Sequence, residues 1–195
     1  MANQHILGNT EIDDTNVTLL DLKNDVADLK NKTNLVKHVE ITTETNSVNI
    51  TGLDILRDGG IYDIVIYYYT RGGPRDLRMR LNNDTTNRYE TIRNISRPSE
   101  QNTVYNYSNS SQNVWFIGDG YNRGVFRGTL YVLSELAVRC ARLQGQSIVA
   151  EPSRKSIVDC GCYFNPDNGV ANVTSIQILL DYFVAGHIFI YKRDN

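Results

Sequence analysis

The chain has 195 residues, with 20 basic and 22 acidic side chains and a formal net charge of −2. That balance gives no electrostatic case for nucleic acid or an anionic membrane, and no apolar run approaches the roughly 18 residues of a transmembrane helix. With 41 % hydrophobic residues, one β domain of roughly 150 residues plus a short extension can bury a core.

Residues 1–11 are polar and read as an extended tail. Met1-Ala2-Asn3-Gln4-His5 has neither a basic nor an apolar signal region, so the reading expects synthesis in a cytosol and no secretory route. From Ile12 the spacing alternates between three and four: Ile12, Thr15, Leu19, Leu22, Val26, Leu29, Thr33, Val36. This is a heptad seam of about three repeats, with Ile12, Leu19 and Val26 at a and Leu22, Leu29 and Val36 at d. A narrow seam cannot bury itself, so it predicts a coiled-coil helix over residues 12–37 that joins copies of the chain. Asp13, Asp14 and Thr15 are its expected caps. β-branched a with Leu at d favours dimers by the simple rule, and the threonines weaken that preference.

After Lys37 the period changes to two. Val39–Ile41 and Val48–Ile50 flank an expected turn at Thr45-Asn46, and Ile61 to Tyr69 is a strong strand. Leu77, Met79 and Leu81 alternate with Arg78 and Arg80, predicting one buried and one wet face. Asn82-Asn83-Asp84 is an expected hairpin turn, with Asn83 tolerating positive φ and Asp84 or Asn82 bonding backbone amides. Tyr89, Thr91 and Arg93 share a side of the next strand. Residues 94–111 are polar, then Val114 to Ile117 is apolar. Gly128 to Cys140 reads as one long run, followed by Ser147–Ala150 and Ile157–Cys160. Ile176 to Val184 is a penultimate strand, and Ala185-Gly186 is an expected turn into a last strand, His187–Tyr191.

Short strands with turns at such intervals predict an antiparallel sandwich of jelly-roll type over residues 38–195. The fold class is therefore mainly β: a jelly-roll-like knob preceded by a short N-terminal coiled-coil helix. The three cysteines, Cys140, Cys160 and Cys162, make no disulfide framework and read as small apolar strand residues.

Two patches resemble a family. Arg80-Leu81-Asn82-Asn83-Asp84-Thr85-Thr86-Asn87-Arg88-Tyr89 is similar to a signature of small phage structural β domains, Arg-apolar-Asn-Gly-Asp-Thr followed by Tyr. Val184-Ala185-Gly186-His187-Ile188-Phe189-Ile190-Tyr191 resembles their closing strand. Asn83 stands where glycine is usual, and so does Lys192. The resemblance implies a virion fibre protein of a tailed bacteriophage, of head-fibre or tail-fibre type. It implies a homotrimer whose residues 1–11 dock to a capsid or tail protein, assembled in the bacterial cytoplasm and displaying the knob to the host surface. A purely structural decoration or baseplate protein is the alternative.

The residues offer no catalytic constellation, so no enzyme, metal or cofactor is expected. His5, His38 and His187 lie in unrelated segments, without metal-ligand spacing. Binding has a better local case. Tyr105, Tyr107, Trp115, Asp119 and Tyr121 fall within seventeen residues, beside several asparagines. Rigid aromatic platforms with adaptable hydrogen bonding suit a host-surface glycan. The competing reading makes Trp115 a core residue and the tyrosines a sandwich edge. Arg75, Arg78 and Arg80 are either an anionic-glycan face or a solvated strand face.

Overall fold

The computed structural model describes residues 5–7, 10–12, 34–55, 61–71, 76–97, 103–120, 123–135, 138–150, 155–164 and 172–193. Residues 1–35 form one unit and residues 36–195 the other. In the first unit β1 (His5–Leu7) pairs antiparallel with β2 (Thr10–Ile12), His5 opposite Ile12. Ile12, the first residue of the expected seam, therefore closes a strand. Its heptad partners Leu19, Leu22, Val26 and Leu29 lie outside the described residues, as does the expected stalk between residues 13 and 33. Val36, expected as the last seam residue, belongs to β3 (Leu35–Ile41). The local reason is the alternation of inward-turned Val39 and Ile41 with exposed His38 and Glu40, which suits a pleated strand beside a partner.

The second unit is an antiparallel β structure, with eleven strands in one curled sheet and no helix among its described residues. Its strands are β3, β4 (Thr45–Thr51), β5 (Tyr62–Thr70), β6 (Asp76–Leu81), β7 (Tyr89–Arg97), β8 (Thr103–Gln112), β9 (Trp115–Asp119), β10 (Arg123–Glu135), β11 (Val138–Ala150), β12 (Lys155–Phe164) and β13 (Ser175–Lys192). The expected single run from Gly128 to Cys140 is a hairpin, in which Glu135 opposes Val138.

Strand β13 organises the fold. The expected turn at Ala185-Gly186 does not exist, and the segment is one 18-residue strand. Its first half pairs with β4 and β6, and β6 continues to β9. Its second half pairs with β5, which leads through β10, β11, β12 and β7 to the edge strand β8. Between the halves the register shifts, and Tyr182 takes φ +57°. That left-handed residue interrupts the alternation: Ile176, Ile178 and Leu180 face the core before it, Phe183 follows out of phase, and the register shift between Phe183 and Ala185 restores the phase for Ile188 and Ile190. The bend lets β9 pack across the interior onto β11, β12 and β7.

The core lies between these layers. β5 contributes Ile64, Ile66 and Tyr68, β6 contributes Leu77, Met79 and Leu81, and β12 contributes Cys160, Cys162 and Phe164. Each fully buried aliphatic side chain contributes about 1.5–3 kcal/mol. The cysteines are free, and burial pushes the Cys162 thiol up, keeping it protonated.

The Asn82-Asn83 turn forms with both residues at positive φ, +52° and +55°, and Asp84 N–H donates to the Leu81 carbonyl at 2.9 Å. These are the φ signs of a type I′ turn. It does not make a hairpin, because β6 pairs with β13 and β9 while β7 pairs with β12 and β8. The turn instead carries the chain between layers. The expected side-chain bonds are present. Asn82 Oδ1 accepts from Thr174 N–H at 2.8 Å, and Asp84 Oδ1 accepts from Thr86 N–H at 2.7 Å. The buried Tyr89 hydroxyl donates to the Leu81 carbonyl and accepts from Leu81 N–H, both at 3.1 Å. Asn82→Ala removes an acceptor of backbone amides and the side chain that tolerates this φ, so it should cost about 2 kcal/mol. Asp84→Ala should cost about 1 kcal/mol, and denaturant melts of the two variants check the order.

Candidate binding site

The expected glycan segment divides into two environments. Trp115 has no exposed surface, and its Nε1 donates to the Tyr163 carbonyl at 2.8 Å. Its indole meets Tyr89 edge-on, with centroids 5.6 Å apart, and Tyr89 stacks on Phe164. Trp115 is thus a core residue. Asp119 is buried too. Its carboxylate accepts from Ser156 Oγ at 3.2 Å and lies 3.7 Å from the Arg97 guanidinium, and its carbonyl accepts from the Tyr68 hydroxyl at 2.5 Å. Burial pushes the Tyr68 phenol up, so it stays a donor. Asp119 ties β5, β9 and β12 together. Tyr121 lies outside the described residues.

Tyr105 and Tyr107 differ. They alternate along the edge strand β8, on one face, with ring centroids 6.3 Å apart and planes inclined by 27°. Arg97 sits over Tyr105 at 5.4 Å and Arg93 over Tyr107 at 5.2 Å. Arg93 also lies 5.1 Å over Phe116 and is fixed by Asp76 at 2.8 Å. The register explains the arrangement, because Tyr107 is the cross-strand partner of Arg93 on β7. Tyr107 retains 39 % of its surface. Each ring is held by a guanidinium, a contact contributing about 0.5–1 kcal/mol at such sites.

The arginine alternative is taken up internally. Arg78 pairs with Asp181 at 3.3 Å, and Arg80 donates to Gln177 Oε1 at 3.0 Å and to the Asn113 carbonyl at 3.1 Å. Arg75 lies outside the described residues. The histidines, in contrast, are not all separate. β3 runs beside β13, and His38 Nε2 and His187 Nδ1 are 3.2 Å apart, one donating to the other, with the His38 ring flat on Phe189 at 4.4 Å. No local spacing could have revealed that pairing across 149 residues. Among the described residues no group of three or more His, Cys, Asp or Glu side chains is placed to hold a metal ion. No helix among them is long and apolar enough to cross a membrane.

The sequence reading missed a second surface. On the face of the large sheet that points away from the core, Tyr67, Tyr69, Val125, Ile148 and His187 line a groove of about 800 Å³, with Arg123 and Arg127 on its rim. The available signal was β5 itself: Val65, Tyr67 and Tyr69 stand where a solvated face would carry charged or small polar residues, so neither face of that strand is plainly polar. Strands of that kind are ordinarily covered on both sides. No protein-family model matches this chain, and no curated protein does.

Proposed function

We propose that this chain is a virion fibre protein of a tailed bacteriophage, a jelly-roll-like knob on a coiled-coil stalk, associating as a homotrimer and contacting the host surface through the knob. The two patches that resemble phage β domains support the assignment, since both occupy positions on which this architecture depends. The first forms the layer-crossing turn with its Tyr89 clasp, and the second is the half of β13 that pairs with β5.

The observation that carries host contact is the Tyr105–Tyr107 pair. Two aromatic rings on an edge strand, each fixed by a guanidinium and partly open to solvent, form a preorganised platform for the apolar face of a sugar. Tyr105→Ala and Tyr107→Ala should each weaken host adsorption or glycan binding by about 1–3 kcal/mol, with little change in melting temperature. Unchanged adsorption by folded variants would remove this pair as the contact site. The second reading, a purely structural role among other virion proteins, is favoured by the apolar outer groove, a surface better suited to protein than to sugar.

A further inference from the structure

A separate, polar groove of about 490 Å³ lies where β7, β12, β11 and β10 run side by side. Its floor is Gly161 in β12, with Gln144 of β11 directly opposite on one side and Ile92 of β7 on the other. Nothing in the fold requires glycine there. Both ladders pass through it without a register shift, its φ is not positive, and a Cβ would meet open space. A glycine inside a strand weakens it. Where neither a bulge nor a neighbouring backbone accounts for it, the close approach of a ligand does.

The walls select the ligand. At one end the Arg142 guanidinium lies over the Tyr163 ring at 4.8 Å, and Tyr163 keeps 37 % of its surface. At the other, Asp159 faces Asn94 across the ladder and accepts from Gln146 Nε2 at 2.8 Å. Tyr163 and Asp159 are four residues apart on β12, about 13 Å at the strand rise, which is room for a short saccharide. A pyranose has a face of C–H groups and a rim of hydroxyls. Gly161 and the exposed Ile92 give the C–H face a flat apolar floor. Gln144, Asn94 and Asp159 give the rim donors and acceptors. An aliphatic ligand would strip water from those three groups without replacing its hydrogen bonds, and an inorganic anion would meet the Asp159 carboxylate.

We propose that this groove binds a saccharide, with one ring stacked over Gly161. The site is distinct from the Tyr105–Tyr107 platform. Those rings share the Arg93 face of β7, whereas Ile92 and Asn94 point to the opposite face. It therefore stands whether or not the tyrosine pair touches the host.

The test is saturation-transfer difference NMR of the full chain with glucose, galactose, rhamnose and N-acetylglucosamine at millimolar concentration. All samples carry Tyr105→Ala and Tyr107→Ala, which remove the other platform, and thermal melts confirm folding. The expected result is transfer to the ring C–H protons of at least one sugar, lost when Gly161→Val is added and reduced by Gln144→Ala. Gly161→Val should melt no lower than its parent, because its Cβ enters open space and its β-branch suits a strand. If Gly161→Val does not fold, Gln144→Ala, at an exposed position, decides by the same loss. No transfer from any of these sugars, or undiminished transfer in the folded variants, would overturn this site. Host adsorption that depends on Tyr105 and Tyr107 would then still stand, so the two readings fail separately.

Discussion

Replacing Trp115 by alanine should lower the unfolding free energy by about 3–5 kcal/mol, the range for removing a large aromatic side chain from a core. The side chain has no exposed surface, abuts Tyr89 and spends its only donor on the Tyr163 carbonyl. The substitution removes packing between β9 and the Tyr89–Phe164 stack and opens a cavity that the surrounding strands cannot fill by small shifts. Trp115→Phe should cost less, about 1–2 kcal/mol, because most of the volume stays and one hydrogen bond goes. Denaturant melts measure both. The same samples, tested for adsorption at a temperature where they remain folded, should bind as the parent does. A loss of adsorption in folded Trp115→Phe would return this residue to the binding site.

Gly186→Ala should be nearly as damaging, although it adds a single methyl group. A Cβ at this position would collide with the Tyr67 carbonyl oxygen and lie 2.8 Å from the Phe183 ring. The ring could turn aside, but the carbonyl belongs to β5, the direct partner of this part of β13, and moving it opens the ladder. Overpacking typically costs about 1–3 kcal/mol, and the backbone obstacle places this case at the upper end. Gly161 is the natural control, since a Cβ there meets open space. Thermal melts of Gly186→Ala and Gly161→Ala should therefore separate clearly. Equal melts would mean that β5 and β13 yield to one another more easily than their register implies.

Much of the architecture was legible because it is local. The alternation of Leu77, Met79 and Leu81 with two arginines placed β6 and its faces, and Asn82-Asn83 announced its turn. What that turn connects was not legible. The partners of β6 are β9 and β13, far along the chain, so adjacency in sequence pointed to a hairpin that tertiary pairing overrides. The last strand shows the same limit. Ala185-Gly186 looked like a turn, yet the strand continues through it with the glycine in close backbone approach, and the irregularity runs from Tyr182 to a register shift between Phe183 and Ala185. The binding segment was read from aromatic and amide density. That density is the same whether an indole faces a ligand or a core, so Trp115 and Asp119 were grouped with two tyrosines whose surroundings are different. The outer groove escaped notice because its residues come from β5, β10, β11 and β13, far apart along the chain.

The shared strand β13 also sets a timetable. β3, β4, β5 and β6 all require it as a partner, yet β6 ends at Leu81 and β13 begins at Ser175. At about 5–20 residues per second of translation, the nascent chain holds these strands with unfilled edges for on the order of 5–20 s. Non-local pairing of this kind is slow to close and leaves sticky edges exposed meanwhile. The edge of β3 in particular gains its partner only after the ribosome has delivered Ser175 and the residues that follow.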